Sequence, residues 1–158
     1  MAQDDIELLR GMITRYSPAT QESEISAFLV SEMAKRGFRS HRDEVGNAVG
    51  EIGEGERHIA LIGHIDTAPG IVPVREVNGM LYGRGSVDAK GSFATFVCAA
   101  ARLGALKGTR VTLVGAVEEE CQTSRGAWHL VDRMKPDLVV IGEPSGWDSI
   151  TIGYKGIV

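Results

Sequence analysis

Three short apolar runs constrain this chain more than any other feature. Residues 59–62 read Ile-Ala-Leu-Ile, residues 111–117 read Val-Thr-Leu-Val-Gly-Ala-Val, and residues 138–141 read Leu-Val-Val-Ile. The runs are continuous rather than alternating, which marks strands buried on both faces. Helix-like segments lie between them. The chain is therefore expected to be α/β, a mixed, mostly parallel sheet with helices on both faces. Each run also ends in polar residues: His64 and Asp66 after the first, Glu118, Glu119 and Glu120 after the second, Glu143 after the third. Ligand sites in open α/β sheets form outside the carboxyl ends of the strands, so one edge gathers residues distant in sequence.

A length of 158 residues suffices for one domain with a sizeable core. With 43% hydrophobic and 24% charged residues the composition is that of a globular protein. A net charge of −4 without a basic patch argues against nucleic acid and anionic membrane as partners. No apolar run is long enough to cross a bilayer, and the acidic start Met1-Ala2-Gln3-Asp4-Asp5 has no signal-peptide core. Cys98 and Cys121 are far apart and read as free thiols, which fits a cytoplasmic location.

Ile6, Leu9, Ile13 and Tyr16 recur at helical spacing, predicting a helix over 4–16 that Ser17-Pro18 stops. A second helix is predicted over 20–36, with Ile25, Phe28, Leu29 and Met33 inward and Gly37 as its C-cap. Both helices read as scaffold. Residues 39–52 read as a strand pair or a strand and loop. Residues 92–103 suit a helix packed closely on the sheet. A helix over 124–134 would turn Trp128, Val131 and Met134 inward, and 149–154 would begin a further strand. Trp147, like Trp128, reads as a packing residue.

The stretch 59–91 concentrates the chemistry. His64 and Asp66 are two residues apart, so on a continuing strand they would share a face. Asn78-Gly79 lies between two strand-like runs, a strong hairpin signal. A hairpin would fold the chain back and bring Asp88 near His64. An imidazole and two carboxylates in one place suggest a metal site. Gly83-Arg84-Gly85 is not a dinucleotide fingerprint, because Asp88 occupies the position where the last glycine is needed. Arg84 and Lys90 read as structural.

Gly63-His64-Ile65-Asp66-Thr67, Gly83-Arg84-Gly85-Ser86-Val87-Asp88-Ala89-Lys90-Gly91, Glu118-Glu119 and Gly142-Glu143-Pro144-Ser145 together resemble the co-catalytic zinc aminoacylase and carboxypeptidase family, which includes acetylornithine deacetylase and succinyl-diaminopimelate desuccinylase. The resemblance implies that His64 and Glu143 bind one metal ion, that Asp88 bridges two, and that Glu119 binds the second. It implies Glu118 as general base and Asp66 as the carboxylate that orients His64. It also implies a cis Asp88–Ala89 peptide bond. The triple Glu leaves a second register, Glu119/Glu120, open for the base and ligand pair.

The chemistry of these residues agrees with the resemblance. Asp66, Asp88, Glu118, Glu119, Glu120 and Glu143 near one pocket would repel one another without cations. Mixed His and carboxylate ligands suit two zinc ions, with cobalt or manganese as substitutes. A carboxylate free of metal can carry a proton from water to a leaving amine, which describes amide hydrolysis. Within the family the motifs are most similar to deacylases of lysine biosynthesis, which release lysine or ornithine from an N-acyl group or an amino-group carrier protein. The expected substrate is thus a small N-acyl amino acid or an acylated carrier. A metallo-dipeptidase or carboxypeptidase on the same site, or a metal-binding fragment without catalysis, are the alternatives.

The resemblance further implies a second, lid domain that makes the full-length form a homodimer, and a C-terminal segment carrying the last His ligand. Neither is found in residues 1–158, which are expected to form the N-terminal part of an incomplete zinc-peptidase-like catalytic domain with little or no turnover of its own. His41, His58 and His129 do not replace the missing ligand.

Overall fold

The computed structural model describes residues 3–146 and 148–153. In chain order the elements are α1 (Gln3–Ile13), α2 (Ser23–Lys35), β1 (Arg39–Arg42), β2 (Ala48–Ile52), β3 (Glu54–His64), β4 (Arg75–Val77), β5 (Met80–Tyr82), α3 (Lys90–Leu103), β6 (Lys107–Ala116), α4 (Arg125–Val131) and β7 (Leu138–Ile141). Five strands form one sheet in the order β1-β2-β6-β3-β7. β3 runs parallel to both β6 and β7, whereas β2 is antiparallel to β6 and to β1. The sheet is mixed as expected, with parallel pairing confined to the half that holds the three apolar runs.

Side-chain alternation along β6 sends Val111 and Leu113 to one face and Val114 to the other. The first face is the larger core. There Leu8 and Met12 of α1, Ile25, Leu29 and Met33 of α2, and Phe93 and Val97 of α3 are almost wholly buried. Each such apolar side chain contributes roughly 1.5–3 kcal/mol on burial. α2 ends where Gly37 allows it, at φ 89. The Gly37 N–H then reaches the Ala34 carbonyl and the Phe38 N–H the Met33 carbonyl, closing a Schellman cap over a Phe38–Met33 apolar pair.

The opposite face is covered by α4, and there the expected packing is corrected. Trp128 is 68% and Val131 59% exposed, while Leu130 is the buried residue, against Val49 and Val114. Gly126 lies four residues before Leu130 on the same side. A Cβ there would come within 2.4 Å of the Asn47 side-chain oxygen, so only glycine lets the helix approach this closely. The chain thus packs α4 through Gly126 and Leu130, and Trp128 and Val131 lie on the other side. Met134 does pack against this smaller core.

Other boundaries shift modestly. α1 ends at Ile13, before Ser17-Pro18, and α2 starts at Ser23. Residues 39–52 are the antiparallel pair β1–β2. Asn78 and Gly79, at φ 52 and 74, make the two-residue turn between β4 and β5. The strand expected over 149–154 is absent from its described part, 149–153, where Ile150 and Ile152 are exposed. An apolar alternating stretch becomes a strand only when another strand pairs with its amides, and none does so among the described residues. Trp147, Tyr154 and the chain end at 155–158 lie outside the described residues.

Candidate metal centre

β3 ends at His64, β6 at Ala116 and β7 at Ile141, with His64 paired to Ala116 and Ile62 to Ile141. The three apolar runs therefore finish side by side, and the polar residues after them meet. His64 is 2% exposed. Its Nδ1 lies 3.0 Å from the Asp66 carbonyl oxygen, to which Nδ1–H donates, so Nε2 faces the acidic groups. Nε2 is 2.9 Å from Asp88 Oδ1, 3.8 Å from Glu143 Oε2 and 3.9 Å from Glu119 Oε2. Ligand atoms of His64, Asp88 and Glu143 all fall within 4.8 Å of one another.

The strand does not continue through Asp66, which is fully buried just beyond its end. The Asp66 carboxylate is 3.5 Å from His64 Nδ1 and also accepts the N–H groups of Glu119 and Glu120, at 3.1 and 2.9 Å. It thus orients the imidazole and the acidic loop together. Asp88 arrives by way of the β4–β5 hairpin and the start of α3, and the Asp88–Ala89 bond is cis, as the resemblance implies. Lys90 is buried. Its Nζ donates to the carbonyls of Met12 and Arg15 at 3.2 and 2.9 Å, at the C-terminal end of α1, where a cation suits the helix dipole. Arg84 donates from Nε to the Gly70 carbonyl at 3.2 Å.

Glu118 is set apart from this cluster. Its carboxylate accepts the Thr123 hydroxyl at 2.6 Å and Arg125 Nη1 at 3.4 Å, and its side chain is 9% exposed. The backbone turns at Glu118 through φ 58, so the side chains before and after it leave in different directions. Glu119 goes to His64. Glu120 lines a cavity of about 400 Å³ beside the cluster, together with Thr67, Val72, Arg84, Ser86 and Asp88. The geometry therefore brings together His64, Asp66, Asp88, Glu119 and Glu143, with Glu120 adjacent, and leaves Glu118 outside. Among the described residues no second histidine reaches the cluster: His58 lies further back on β3, His41 is on β1, and His129 pairs with Glu44 and Asp43. Cys121 contacts the Glu118 carbonyl and Thr123.

The electrostatics are those of a cation site. Burial pulls the His64 imidazole down, but hydrogen bonds with Asp66 and Asp88 and the charges of Glu143 and Asp66 outweigh it and push it up to about 10. Burial and neighbouring carboxylates raise Glu119 and Glu143, with His64 opposing. Burial also pushes Asp66 upward, but the bonds from His64 and from the Glu120 and Glu119 amides hold it below its ordinary value. One imidazole and several carboxylates hold net negative charge at a half-buried point. A divalent cation fits this donor set, since it would meet Nε2 and several carboxylate oxygens at once.

These are the features of a candidate metal site at the strand edge of a mixed α/β fold, and the comparisons supply the family. The chain belongs to the peptidase family M20/M25/M40, whose model matches residues 60–155. It is 49% identical to a LysW-lysine hydrolase of Deinococcus radiodurans, over 98% of this chain and 44% of that protein. It is 34% identical to a LysW-lysine/LysW-ornithine hydrolase of Saccharolobus islandicus, over 96% of this chain and 43% of that protein. The fold is similar to that of an M20 family metallo-carboxypeptidase from Sulfolobus solfataricus, with a TM-score of 0.74 at 20% identity over 90% of this chain and 37% of that one. The chain spans less than half the length of these curated relatives.

Proposed function

We propose that this chain carries the metal-binding part of a hydrolase that cleaves an amide bond to release lysine or ornithine, with a carrier protein as the acyl partner. The observation that supports it is the convergence of His64, Asp88, Glu119 and Glu143 at one strand edge, in a chain 49% identical to a hydrolase named for the carrier LysW. His64, Asp88 and Glu143 would hold one divalent ion, and Asp88 with Glu120 would supply ligands to a second. Zinc suits these donors, with cobalt or manganese able to substitute. A bound ion would act as a Lewis acid toward the scissile carbonyl and make water a stronger acid.

The base and ligand pair is then Glu119/Glu120 rather than Glu118/Glu119. The Glu119 carboxylate lies at the edge of the cluster, half-exposed, where it can take a proton from water and return it to the leaving amine. The Glu118 carboxylate is already bonded to Thr123 and Arg125 and supports the turn. Asp66 keeps the His64 ring in place and fixes both following glutamate amides. The cavity beside Asp88 and Glu120 would receive the acyl-amino acid.

We infer that residues 1–158 form part of a catalytic domain, with a lid domain and a further His ligand supplied in the longer form, which would be a homodimer. Two unpaired cysteines and no membrane-crossing helix among the described residues favour the cytoplasm.

Metal analysis combined with hydrolysis of carrier-linked lysine, N-acetyl-lysine, N-acetyl-ornithine and a dipeptide tests this reading. The 158-residue chain is expected to bind a divalent ion and to show little turnover. In a longer, active form, Glu119→Gln is expected to lower kcat at least about a hundredfold while metal is retained, with Glu118→Gln within tenfold of wild type. Robust turnover by the 158-residue chain would refute the incomplete site, and the reverse order of the two variants would restore Glu118 as base. Preferred cleavage of the dipeptide would favour a peptidase.

A further inference from the structure

Four consecutive backbone amides beneath the acidic cluster are each held by a side-chain oxygen. The Val117 N–H donates to Asn47 Oδ1 at 3.0 Å and the Glu118 N–H to Glu22 Oε1 at 3.0 Å. The Glu119 and Glu120 amides donate to the two oxygens of Asp66, at 3.1 and 2.9 Å. The loop thus has no regular backbone pairing where its direction is set. Its course depends on three polar side chains from three different parts of the chain, each almost wholly buried.

Glu22 is the least expected of them. It precedes α2, in a connector far in sequence from every motif, yet it is 5% exposed. One oxygen, Oε1, accepts both the Glu118 N–H and the Thr20 N–H, each at 3.0 Å. Thr20 and Glu118 are both non-glycine residues in the left-handed region, at φ 73 and 58. A single carboxylate oxygen therefore clamps two unfavourable turns against each other. The same connector is bound to the strand end carrying His64: Ser17 Oγ donates to the Ile65 carbonyl at 2.8 Å, and the Thr67 N–H donates to the Ser17 carbonyl at 2.9 Å.

We propose that Glu22 is a positioning residue for the metal centre: by holding the Glu118 amide in its left-handed turn, its carboxylate aims Glu119 and Glu120 at the cations. A buried N–H needs an acceptor within reach. Without Glu22 the Glu118 amide has no partner and the turn relaxes. Glu119 and Glu120 then lose their fixed approach although neither is altered. The proposal rests on the assignment of Glu119 and Glu120 to the metal centre made above.

Cobalt(II) titration of the purified chain, followed by its visible absorption spectrum, tests this together with thermal melting in EDTA. Glu22→Gln keeps an oxygen at the same reach and is expected to bind cobalt within about threefold of wild type, with an unchanged spectrum. Glu22→Asp keeps the charge but falls short by one methylene, and Glu22→Ala removes the acceptor. Both are expected to lose about tenfold to a hundredfold in affinity and to alter the spectrum. Should Glu22→Ala not fold, the order of Gln above Asp still decides, because it separates reach from charge. Asp and Ala variants that bind within twofold of wild type with the same spectrum would overturn the positioning role alone. A wild-type chain that takes up no cobalt would overturn the metal reading, and this one with it.

Discussion

β3 carries two buried histidines, His58 and His64, 5% and 2% exposed. They are six residues apart and so lie on the same face of the strand. Their surroundings are opposite. His58 Nδ1 accepts from Arg110 Nη2 at 3.1 Å, and its Nε2 meets the Thr112 hydroxyl at 2.9 Å, which in turn donates to Glu51 at 3.2 Å. Burial and the Arg110 charge pull its pKa below the ordinary value. Both nitrogens are engaged, so no lone pair is left for a metal ion. His64 has the Asp66 carbonyl and carboxylate at Nδ1, and its Nε2 faces acidic groups. The difference lies in position along the strand. His58 sits beside β6, level with Arg110, while His64 sits where the strands end and the loops begin. A buried histidine is a ligand or a packing group according to what the neighbouring chain places around it.

The largest expected effect breaks that comparison directly. His64→Ala should weaken zinc or cobalt binding by about a hundredfold or more, since it removes the one nitrogen donor of the cluster. His58→Ala should leave metal affinity within about threefold, though it destabilises the fold. Calorimetric titration of the two variants checks both. If His58→Ala abolished binding, the separation of the two histidines would fail.

The next effect concerns stability alone. In Thr112→Val the hydroxyl between His58 and Glu51 is lost, and His58 Nε2–H is left buried without an acceptor. The expected cost is about 1–3 kcal/mol in denaturant unfolding of the metal-free protein. Metal affinity should not change, because no part of this network reaches His64. The equivalent loss beside His64 should behave differently. Asp66→Asn keeps the shape but weakens the hold on the Glu119 and Glu120 amides, so metal affinity should fall about tenfold to a hundredfold.

The contrast also shows which parts of the molecule are legible in the sequence. The apolar runs, the Asn78-Gly79 turn and the Gly37 cap follow local rules, and the structure places each where these rules put it. The meeting of His64, Glu119 and Glu143 follows from strand ends lying side by side, which the runs already imply, and Asp88 joins them through the hairpin that Asn78-Gly79 signals. What periodicity could not supply is direction within a loop. Three glutamates in a row look equivalent, yet a left-handed turn at Glu118 sends its carboxylate to Thr123 and Arg125 and the next one to His64. The turn is stabilised by Glu22, Asn47 and Asp66, from distant parts of the chain, and only Asp66 belongs to a recognisable motif. α4 misled for a related reason. Its apolar residues suggest an inner face at Trp128 and Val131, but the close approach depends on Gly126, whose contribution is the absence of a side chain.

The smallest effect is a pH dependence that separates the two histidines without touching the metal centre. The folded pKa of His58 lies below its value of about 6.5 in an unfolded chain. Between those two values the unfolded state binds more protons than the folded one, so stability falls as the solution is acidified. The contribution of neutral His58 is fully present above about pH 6.5 and is lost as pH drops through that window. His58→Phe cannot titrate and should lack this component. Arg110 and Thr112 lose a partner in that variant, so the informative quantity is the difference in slope between the two proteins, and His64 contributes equally to both and cancels. Denaturant unfolding in EDTA between about pH 7.5 and 5 should show wild type losing stability faster, by no more than about 1.4 kcal/mol per pH unit. The opposite order, with wild type losing stability more slowly than His58→Phe, would mean that Glu51 and Asp137, which favour the charged ring, outweigh burial and Arg110. His58 would then resemble His64 in its electrostatics, and the site would be distinguished by the geometry of its donors alone.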